Sequence, residues 1–202
     1  MQIGSQAKGC DESPMSFSRD LQQKKVLVLG AGVTGLASAR ALISRDAQVT
    51  IVDDTVTLDS EFSILKPAAI KVSDFDFLLI SPGWKESHPL IQQAQAAQIT
   101  LLNEIDLAWN LRTMRAPGQK WIALTGTNGK TTPIQMVQNI FNKAGVNGAA
   151  CGNVGEPVIS AVCKSPAYEY LALELSSYQI EWSHLPKYES VAVLNISPDH
   201  ID

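Results

Sequence analysis

The stretch KVLVLGAGVTGLASARAL, at residues 25–42, decides the fold of the first half of the chain. It combines a short apolar strand, a glycine-rich turn and a helix whose apolar residues recur at helical spacing. Further strand-like segments at 48–52, 75–80 and 99–102 alternate with helix-like segments. This alternation is typical of βαβ units, and it predicts a parallel sheet flanked by helices.

A polar stretch, RTMRAPGQK at 112–120, interrupts this alternation and marks a domain boundary. The helix before it is predicted over 103–111, because Asn103 is a favourable N-cap residue and Glu104 follows it. Strand-like and helix-like segments then resume, and a last strand-like segment near 191–194 has no helix after it. The predicted organisation is a flexible extension at 1–22, a Rossmann-like domain at 23–112, a linker at 113–119 and an incomplete second α/β domain at 120–202.

Composition excludes several classes of protein. The 202 residues include 16 Lys+Arg and 20 Asp+Glu, for a formal net charge of −4, and 45% are hydrophobic. This balance supports a packed core and lacks the clustered positive charge of nucleic-acid-binding proteins. No apolar run reaches the roughly 18 residues of a membrane span. The three cysteines form no CxxC pair and the first twenty residues hold no signal-peptide core, which together predict a cytoplasmic protein.

The first glycine loop, GAGVTG at 30–35, has the spacing of a dinucleotide-binding fingerprint between a strand and a helix. Its glycines allow a tight turn and a close backbone approach to a diphosphate, which the N-terminus of the helix would attract. Asp53 follows Gly35 by 18 residues and could accept a hydrogen bond from a ribose hydroxyl. A nicotinamide or flavin cofactor, another diphosphate such as a nucleotide sugar, and a purely structural turn all remain open.

The second glycine loop, TGTNGKTT at 125–132, predicts an ATP site that uses Mg²⁺. It is a short form of the phosphate-binding loop, because Leu124 stands where the full pattern has its first glycine. Lys130 is expected to reach the β/γ-phosphate oxygens and Thr131 to ligate Mg²⁺. The residues predicted to bind the nucleotide are Gly126, Thr127, Asn128, Gly129, Lys130, Thr131 and Thr132.

Candidate polar residues follow later strands. Glu174 ends a predicted buried strand and is a candidate Mg²⁺ ligand, while His200 is a candidate metal ligand or proton acceptor, or else a structural residue. Asn153 lies in a loop from which its amide could contact a substrate. An enzyme that uses ATP to activate a substrate carrying a nucleotide diphosphate would need both glycine loops, whereas a dehydrogenase needs only the first.

The motifs together resemble the Mur ligase family of ATP-dependent amide ligases. The segments that carry the resemblance are GAGVTGLASARAL (30–42), ISPGWKESHPLI (80–91), NEIDLAW (103–109), LTGTNGKTT (124–132), GNVGEPV (152–158), LELSSYQIE (173–181) and NISPDHID (195–202). The last two, behind a GxGxxG domain, are similar to the branch that adds D-glutamate.

The resemblance implies a role for each matching position. Lys130, Glu174 and His200 would be catalytic, and the metal ligands would be Thr131, Glu174 and His200. The residues implied to bind the uridine diphosphate are Gly32, Val33, Thr34, Asp54, Thr55 and Gly83. Those implied to contact the muramoyl-alanyl end of the substrate are Asn153, Ser176 and Gln179.

The implied reaction joins D-glutamate to UDP-N-acetylmuramoyl-L-alanine through an acyl phosphate, in the synthesis of peptidoglycan precursors. Family members carry more chain after this point, including a lysine that helps hold the second Mg²⁺ and a domain that binds the amino acid. We therefore expect a piece of a longer, monomeric ligase, which binds the uridine nucleotide but does not form the amide bond. The alternatives are a non-catalytic uridine-nucleotide-binding protein, a family member with another acceptor amino acid, and a Rossmann oxidoreductase.

Overall fold

The computed structural model describes residues 21–55 and 61–198, which form two units, each built on a parallel sheet. One-turn 3₁₀ helices lie at Pro67–Ala69 and Val72–Asp74 of the first unit. The main elements of that unit are β1 (Lys25–Leu29), α1 (Val33–Ile43), β2 (Gln48–Val52), β3 (Ile64–Leu65), β4 (Phe77–Ile80), α2 (Pro89–Ala96), β5 (Thr100–Asn103) and α3 (Glu104–Arg115).

The second unit repeats the alternation of strands and helices. Its elements are β6 (Lys120–Thr125), α4 (Thr131–Ala144), β7 (Gly148–Gly152), α5 (Val158–Cys163), β8 (Tyr170–Glu174), α6 (Ser177–Glu181) and β9 (Ser190–Val193). The predicted fold class, two successive parallel-sheet α/β units, is confirmed.

The strand order places both glycine loops at positions typical of ligand sites. The first sheet has the order β3-β2-β1-β4-β5, so the chain reverses its direction of winding between β1 and β4. The second sheet has the order β7-β8-β6-β9, and β6 lies between strands that come later in the chain. In open α/β sheets, ligands bind outside the carboxyl ends of the strands at such switch points. The loops that follow β1 and β6 are therefore the expected ligand-binding positions.

A single hydrophobic core connects the two units. It contains Val26 and Val28 from the first sheet, Trp121 and Leu171 from the second, and the apolar faces of α1, α3 and α5 between them. Helix α2 covers the other face of the first sheet, and α4 covers the other face of the second. Because the units share this core, the positions of their two glycine loops depend on one another.

Two boundaries differ from the sequence prediction. Helix α3 continues to Arg115 rather than ending at Leu111, so the first residues of the predicted linker are helical. The guanidinium of Arg112 stacks over the Trp109 ring at 4.4 Å and donates to the Gln119 carbonyl, which holds the polar end of the helix in place. Leu21, which was predicted to belong to the flexible extension, is 2% exposed and packs in the shared core.

Within the described residues, no helix combines the length and the apolar character that crossing a membrane requires.

Candidate functional site

Close packing of glycines shapes the first loop. Gly30 has a φ of +102°, and a Cβ atom on Gly35 would lie 1.9 Å from the Gly30 carbonyl oxygen. A side chain at position 35 would therefore push the strand and the helix apart. Gly32 precedes α1, and a Cβ atom placed there would meet nothing within 4 Å. The open backbone at Gly32 and the exposed Val33 leave the start of α1 accessible to an anion.

Asp53 holds the first loop from the neighbouring strand. Its Oδ2 accepts from the Ala31 amide at 2.8 Å, and its Oδ1 accepts from the Thr55 amide and hydroxyl at 2.8 and 3.0 Å. Both carboxylate oxygens are thus engaged by the protein itself. These contacts fix the loop and the turn after β2, and the role of ribose acceptor considered from the fingerprint stays a prediction.

His88 belongs to the same region, although it was not among the candidate site residues of the sequence analysis. Its Nδ1 accepts from the Leu90 amide at 3.2 Å and caps α2, so its Nε2 carries the proton and faces Asp54 Oδ2 at 3.4 Å. The ring also packs edge-on against Trp84. The sequence signal was the His-Pro pair, since a capping residue followed by proline is typical of a helix start.

The remaining residues predicted to bind the uridine diphosphate lie at this edge of the sheet. Asp54 and Thr55 follow β2, and Gly83, with a φ of +96°, follows β4 beside the Gly30 turn. A Cβ atom on Gly83 would meet nothing within 4 Å. The structure thus leaves space next to Gly83, which a ligand at the first loop could use.

The second loop is a compact turn between β6 and α4. Gly126 and Gly129 have φ values of +156° and +75°. The ammonium of Lys130 donates to the carbonyl oxygens of Gly126 at 2.7 Å and Thr127 at 3.0 Å, so it lies directly over the loop. Thr131 is the first residue of α4, and no described side chain caps that helix. Free amides and a nearby ammonium favour a phosphate at this position.

A segment from the end of the described chain fastens the second loop. Asn128 donates its amide to Asn195 Oδ1 at 3.0 Å, and Asn195 Nδ2 donates to the Asn128 carbonyl at 2.9 Å. The Thr127 hydroxyl accepts from the Ser197 amide at 3.0 Å and donates to the Ser197 carbonyl at 3.2 Å. These reciprocal pairs fix the loop against the segment that follows β9.

Glu174 is the best-placed described residue for a cation. It ends β8 in register with Leu124, immediately beside the start of the second loop. Its Oε1 accepts from Asn153 Nδ2 at 3.0 Å, whereas its Oε2 is buried and has no hydrogen-bond partner among the described residues. A buried carboxylate oxygen without a donor fits a bound cation. His200, the other predicted ligand, lies outside the described residues, and the rest of the described chain brings no three His, Cys, Asp or Glu side chains together.

Ser176 and Gln179, predicted to contact substrate, form a capping box at the start of α6. The Ser176 hydroxyl accepts from the Gln179 amide at 3.3 Å, and Gln179 Oε1 accepts from the Ser176 amide at 3.0 Å. Their side-chain oxygens therefore serve the helix itself, while Asn153 orients Glu174. Substrate contact by these three residues stays a prediction.

A narrow crevice lies where the two units meet, between the two loops in the chain of contacts. Ser81, at the end of β4, lies against Gly30, and the neighbouring Pro82 lines a narrow crevice together with Asn103 from β5. The second unit closes this crevice with Tyr178, Gln179 and Trp182. Helix α6 in turn begins two residues after Leu175, whose carbonyl accepts from the Thr125 hydroxyl at the start of the second loop, at 2.8 Å.

Comparison with known families decides the classification. The family model described as Mur ligase MurD-like, N-terminal domain, matches residues 24–103, and the Mur ligase middle domain matches residues 124–202. The chain belongs to the Mur ligase family. The two matched ranges correspond to the two units of the structure. Helix α3, which belongs to the first unit, lies between the two ranges in the sequence.

Named Mur ligases are similar over most of this chain. The UDP-N-acetylmuramoylalanine–D-glutamate ligase of Streptomyces coelicolor is 40% identical over 192 residues, which is 89% of this chain and 41% of the relative. The enzyme of the same name from Frankia casuarinae is 39% identical over 188 residues, 88% of this chain and 39% of the relative. The chain thus spans about two fifths of the length of these relatives.

A solved structure supports the fold. The UDP-N-acetylmuramate:L-alanyl-gamma-D-glutamyl-meso-diaminopimelate ligase of Neisseria meningitides superposes with a TM-score of 0.53 at 13% identity. The match covers 89% of this chain and 63% of that protein.

Proposed function

We propose that this chain is the part of an ATP-dependent Mur ligase that binds UDP-N-acetylmuramoyl-L-alanine and ATP for the addition of D-glutamate. The observation that carries the proposal is the presence of two glycine loops, each between a strand and a helix, in two units that share one hydrophobic core. The similarity to D-glutamate ligases supports this choice of substrate and acceptor. Such an enzyme would act as a monomer in the cytoplasm and serve cell-wall synthesis, and thereby cell shape and division.

The residues of the chain have distinct tasks in this proposal. The amides at the start of α1 and the side of the first loop near Gly83 bind the uridine diphosphate. Lys130 and the amides of the second loop bind the ATP phosphates, and Thr131 and Glu174 hold Mg²⁺, with His200 as the further predicted ligand. Mg²⁺ supplies positive charge that offsets the repulsion between the phosphates and the substrate carboxylate. The protein contributes mainly by positioning, and no protein nucleophile is required.

Binding measurements on the purified 202-residue chain test the proposal. Titration calorimetry should detect binding of UDP-N-acetylmuramoyl-L-alanine and, separately, of ATP with Mg²⁺. Replacing Lys130 with Gln should weaken ATP binding by about tenfold or more, because a charge-assisted contact to phosphate is lost, and should leave the uridine ligand unaffected. Binding of a nicotinamide dinucleotide in place of the uridine ligand would contradict the proposal.

A further inference from the structure

The first turn of α3 sends three polar side chains across the boundary into the second unit. Asn103, Glu104 and Asp106 are 3%, 2% and 0% exposed, although two of them are acidic. Acidic residues are seldom buried without specific partners, because removing a carboxylate from water is costly. The partners of all three side chains therefore indicate what this turn does.

Glu104 and Arg115 hold the two ends of α5. The Ile159 amide, in the first turn of α5, donates to Glu104 Oε1 at 2.6 Å. At the other end of α5, the Arg115 guanidinium donates to the Cys163 carbonyl at 3.0 Å. A carboxylate at the positive end of a helix and a cation at its negative end both match the helix dipole. Helix α3 thus fixes both ends of a helix in the other unit.

Asn103 and Asp106 hold the region around α6. Asp106 accepts from the backbone amides of His184 and Leu185, both at 3.0 Å, in the turn that follows α6. Asn103 Nδ2 donates to the carbonyl of Gln179 at 2.8 Å. The Ser183 hydroxyl also donates to Asp106 Oδ1, at 3.3 Å, and the other groups named on the second unit belong to the main chain, so the contacts fix the path of its backbone.

We propose that Asn103, Glu104, Asp106 and Arg115 form an interdomain clamp that sets the position of α5 and α6 relative to the first glycine loop. Buried hydrogen bonds are directional, so they select one arrangement of the two units where apolar packing alone would tolerate several. These four are positioning residues, acting through the backbone they hold. The consequence for substrate alignment rests on the proposed function, whereas the clamp itself does not.

A distance measurement between the two units tests the clamp directly. Spin labels would be placed on Gln92→Cys in α2 and Lys143→Cys in α4, both exposed. Cys10 and Cys163 would be replaced by Ser. Cys151 would be kept, because it is buried in β7 and burial raises the pKa of its thiol, so it does not compete for the label. Pulsed electron spin resonance on this chain should give one narrow distance peak.

Clamp variants should lose that narrow peak. Asp106→Asn replaces a carboxylate oxygen with an NH₂ group, which cannot accept from the His184 and Leu185 main-chain amides. Arg115→Gln removes the contact to the Cys163 carbonyl at the exposed end of α3. The matched control is Asp76→Asn, since Asp76 accepts from the Lys25 amide at 2.8 Å entirely within the first unit. Circular dichroism would confirm that each variant is folded. Broadening in either folded clamp variant, with the control unchanged, supports the clamp.

A distance peak as narrow in Asp106→Asn and Arg115→Gln as in the unaltered labelled chain would overturn the proposal. If Asp106→Asn fails to fold, the result for Arg115→Gln alone decides the test. Titration with UDP-N-acetylmuramoyl-L-alanine forms a separate arm. Weaker binding of this ligand to the clamp variants than to the control would show that the clamp also positions the substrate-binding residues. Failure of the unaltered chain to bind this ligand would overturn the proposed function and leave the distance result to decide the clamp.

Discussion

Two glycines of the first loop differ in how closely other atoms approach them: Gly35 is tightly packed, whereas Gly32 is open. An alanine at position 35 would place its Cβ atom 1.9 Å from the main-chain oxygen of Gly30, which has no flexible end that could move away. An alanine at position 32 would meet nothing within 4 Å, and the φ of −76° at that residue suits any amino acid. The two substitutions therefore separate tight packing from the loss of a glycine as such.

We expect Gly35→Ala to lower the free energy of unfolding by about 3 kcal/mol, because the strand and the helix must separate to admit the methyl group. Gly32→Ala, the matched control, should change it by less than about 1 kcal/mol. Denaturant titration monitored by circular dichroism measures both values. Equal destabilisation by the two substitutions would show that the close approach at Gly35 is not what the loop depends on.

Glu174→Gln should weaken the binding of divalent cations while the fold is kept. The glutamine oxygen can still accept from Asn153, so the contact that orients the side chain survives, but the charge beside the second loop is lost. We expect at least a roughly tenfold rise in the dissociation constant for Mn²⁺ measured by electron spin resonance in the presence of ATP. An unchanged constant would exclude Glu174 as a metal ligand.

At the scale of elements, α3 carries a buried acid whose protonation affects stability. Burial raises the pKa of Glu104 to about 7, although the Ile159 and Val158 amides oppose this effect. The folded state therefore binds this proton more tightly than the unfolded state. The contribution to stability is complete below about pH 4.5 and is lost as the pH rises through about 7. Burial also raises the pKa of Asp106, so its pKa shifts in the same direction as that of Glu104.

Replacing Glu104 with Gln should flatten the dependence of the unfolding free energy on pH between 5 and 8. The glutamine variant should gain up to about 3 kcal/mol relative to the native chain across this range, because it has no proton to lose. Asp76→Asn is a suitable control, since hydrogen bonds from the Lys25 amide and Lys24 lower the pKa of Asp76, and its effect falls at more acidic pH. Parallel curves for the native and Glu104→Gln chains would contradict the expected role of Glu104.

Most elements of the fold could be predicted from the sequence, and the exceptions have physical causes. The glycine loops and the strands before them follow from local patterns, and the helix predicted after the first loop is α1. Helix α5 was missed because VISAVC is short and has Ser160 as its only polar residue, which suits a helix buried between two sheets but shows no helical period. Helix α3 was predicted too short because RTMR has the composition of a linker.

The candidate site was predictable only in part. The sequence placed Lys130 in a loop after one predicted strand and Glu174 at the end of another, because loop motifs and strand ends are local signals. The partners of Glu104 and Asp106 lie 55 and about 80 positions away along the chain, so no local pattern could reveal them. The hydrogen bond from the Ala31 amide to Asp53 could not be predicted for the same reason, since the two residues are 22 positions apart.

At the scale of the whole molecule, β9 forms an edge of the second sheet in the part of the chain that the structure describes. Among the described residues, β9 pairs only with β6, and its Val191 and Val193 side chains are 59% and 56% exposed. Unpaired strand edges with apolar side chains are templates for association between chains. We therefore expect the 202-residue chain to self-associate as its concentration rises.

Val193→Lys should reduce this association, because a charged side chain on an edge strand opposes pairing. Ile43→Lys serves as the control, since Ile43 is comparably exposed but lies at the end of a helix in the first unit. Sedimentation velocity over a range of concentrations measures the effect. Equal reduction by both substitutions would mean that overall charge, and not the β9 edge, governs the association.

The fastening of the second glycine loop has a consequence for the order in which the protein assembles. Thr127 and Asn128 are bonded to Ser197 and Asn195, 70 and 67 positions later. A nascent chain leaves the ribosome with its amino terminus first, and contacts between distant positions form slowly. The second glycine loop is therefore expected to mature late in this region. A chain terminated before Asn195 would contain every residue of that loop without the partners that give it its shape.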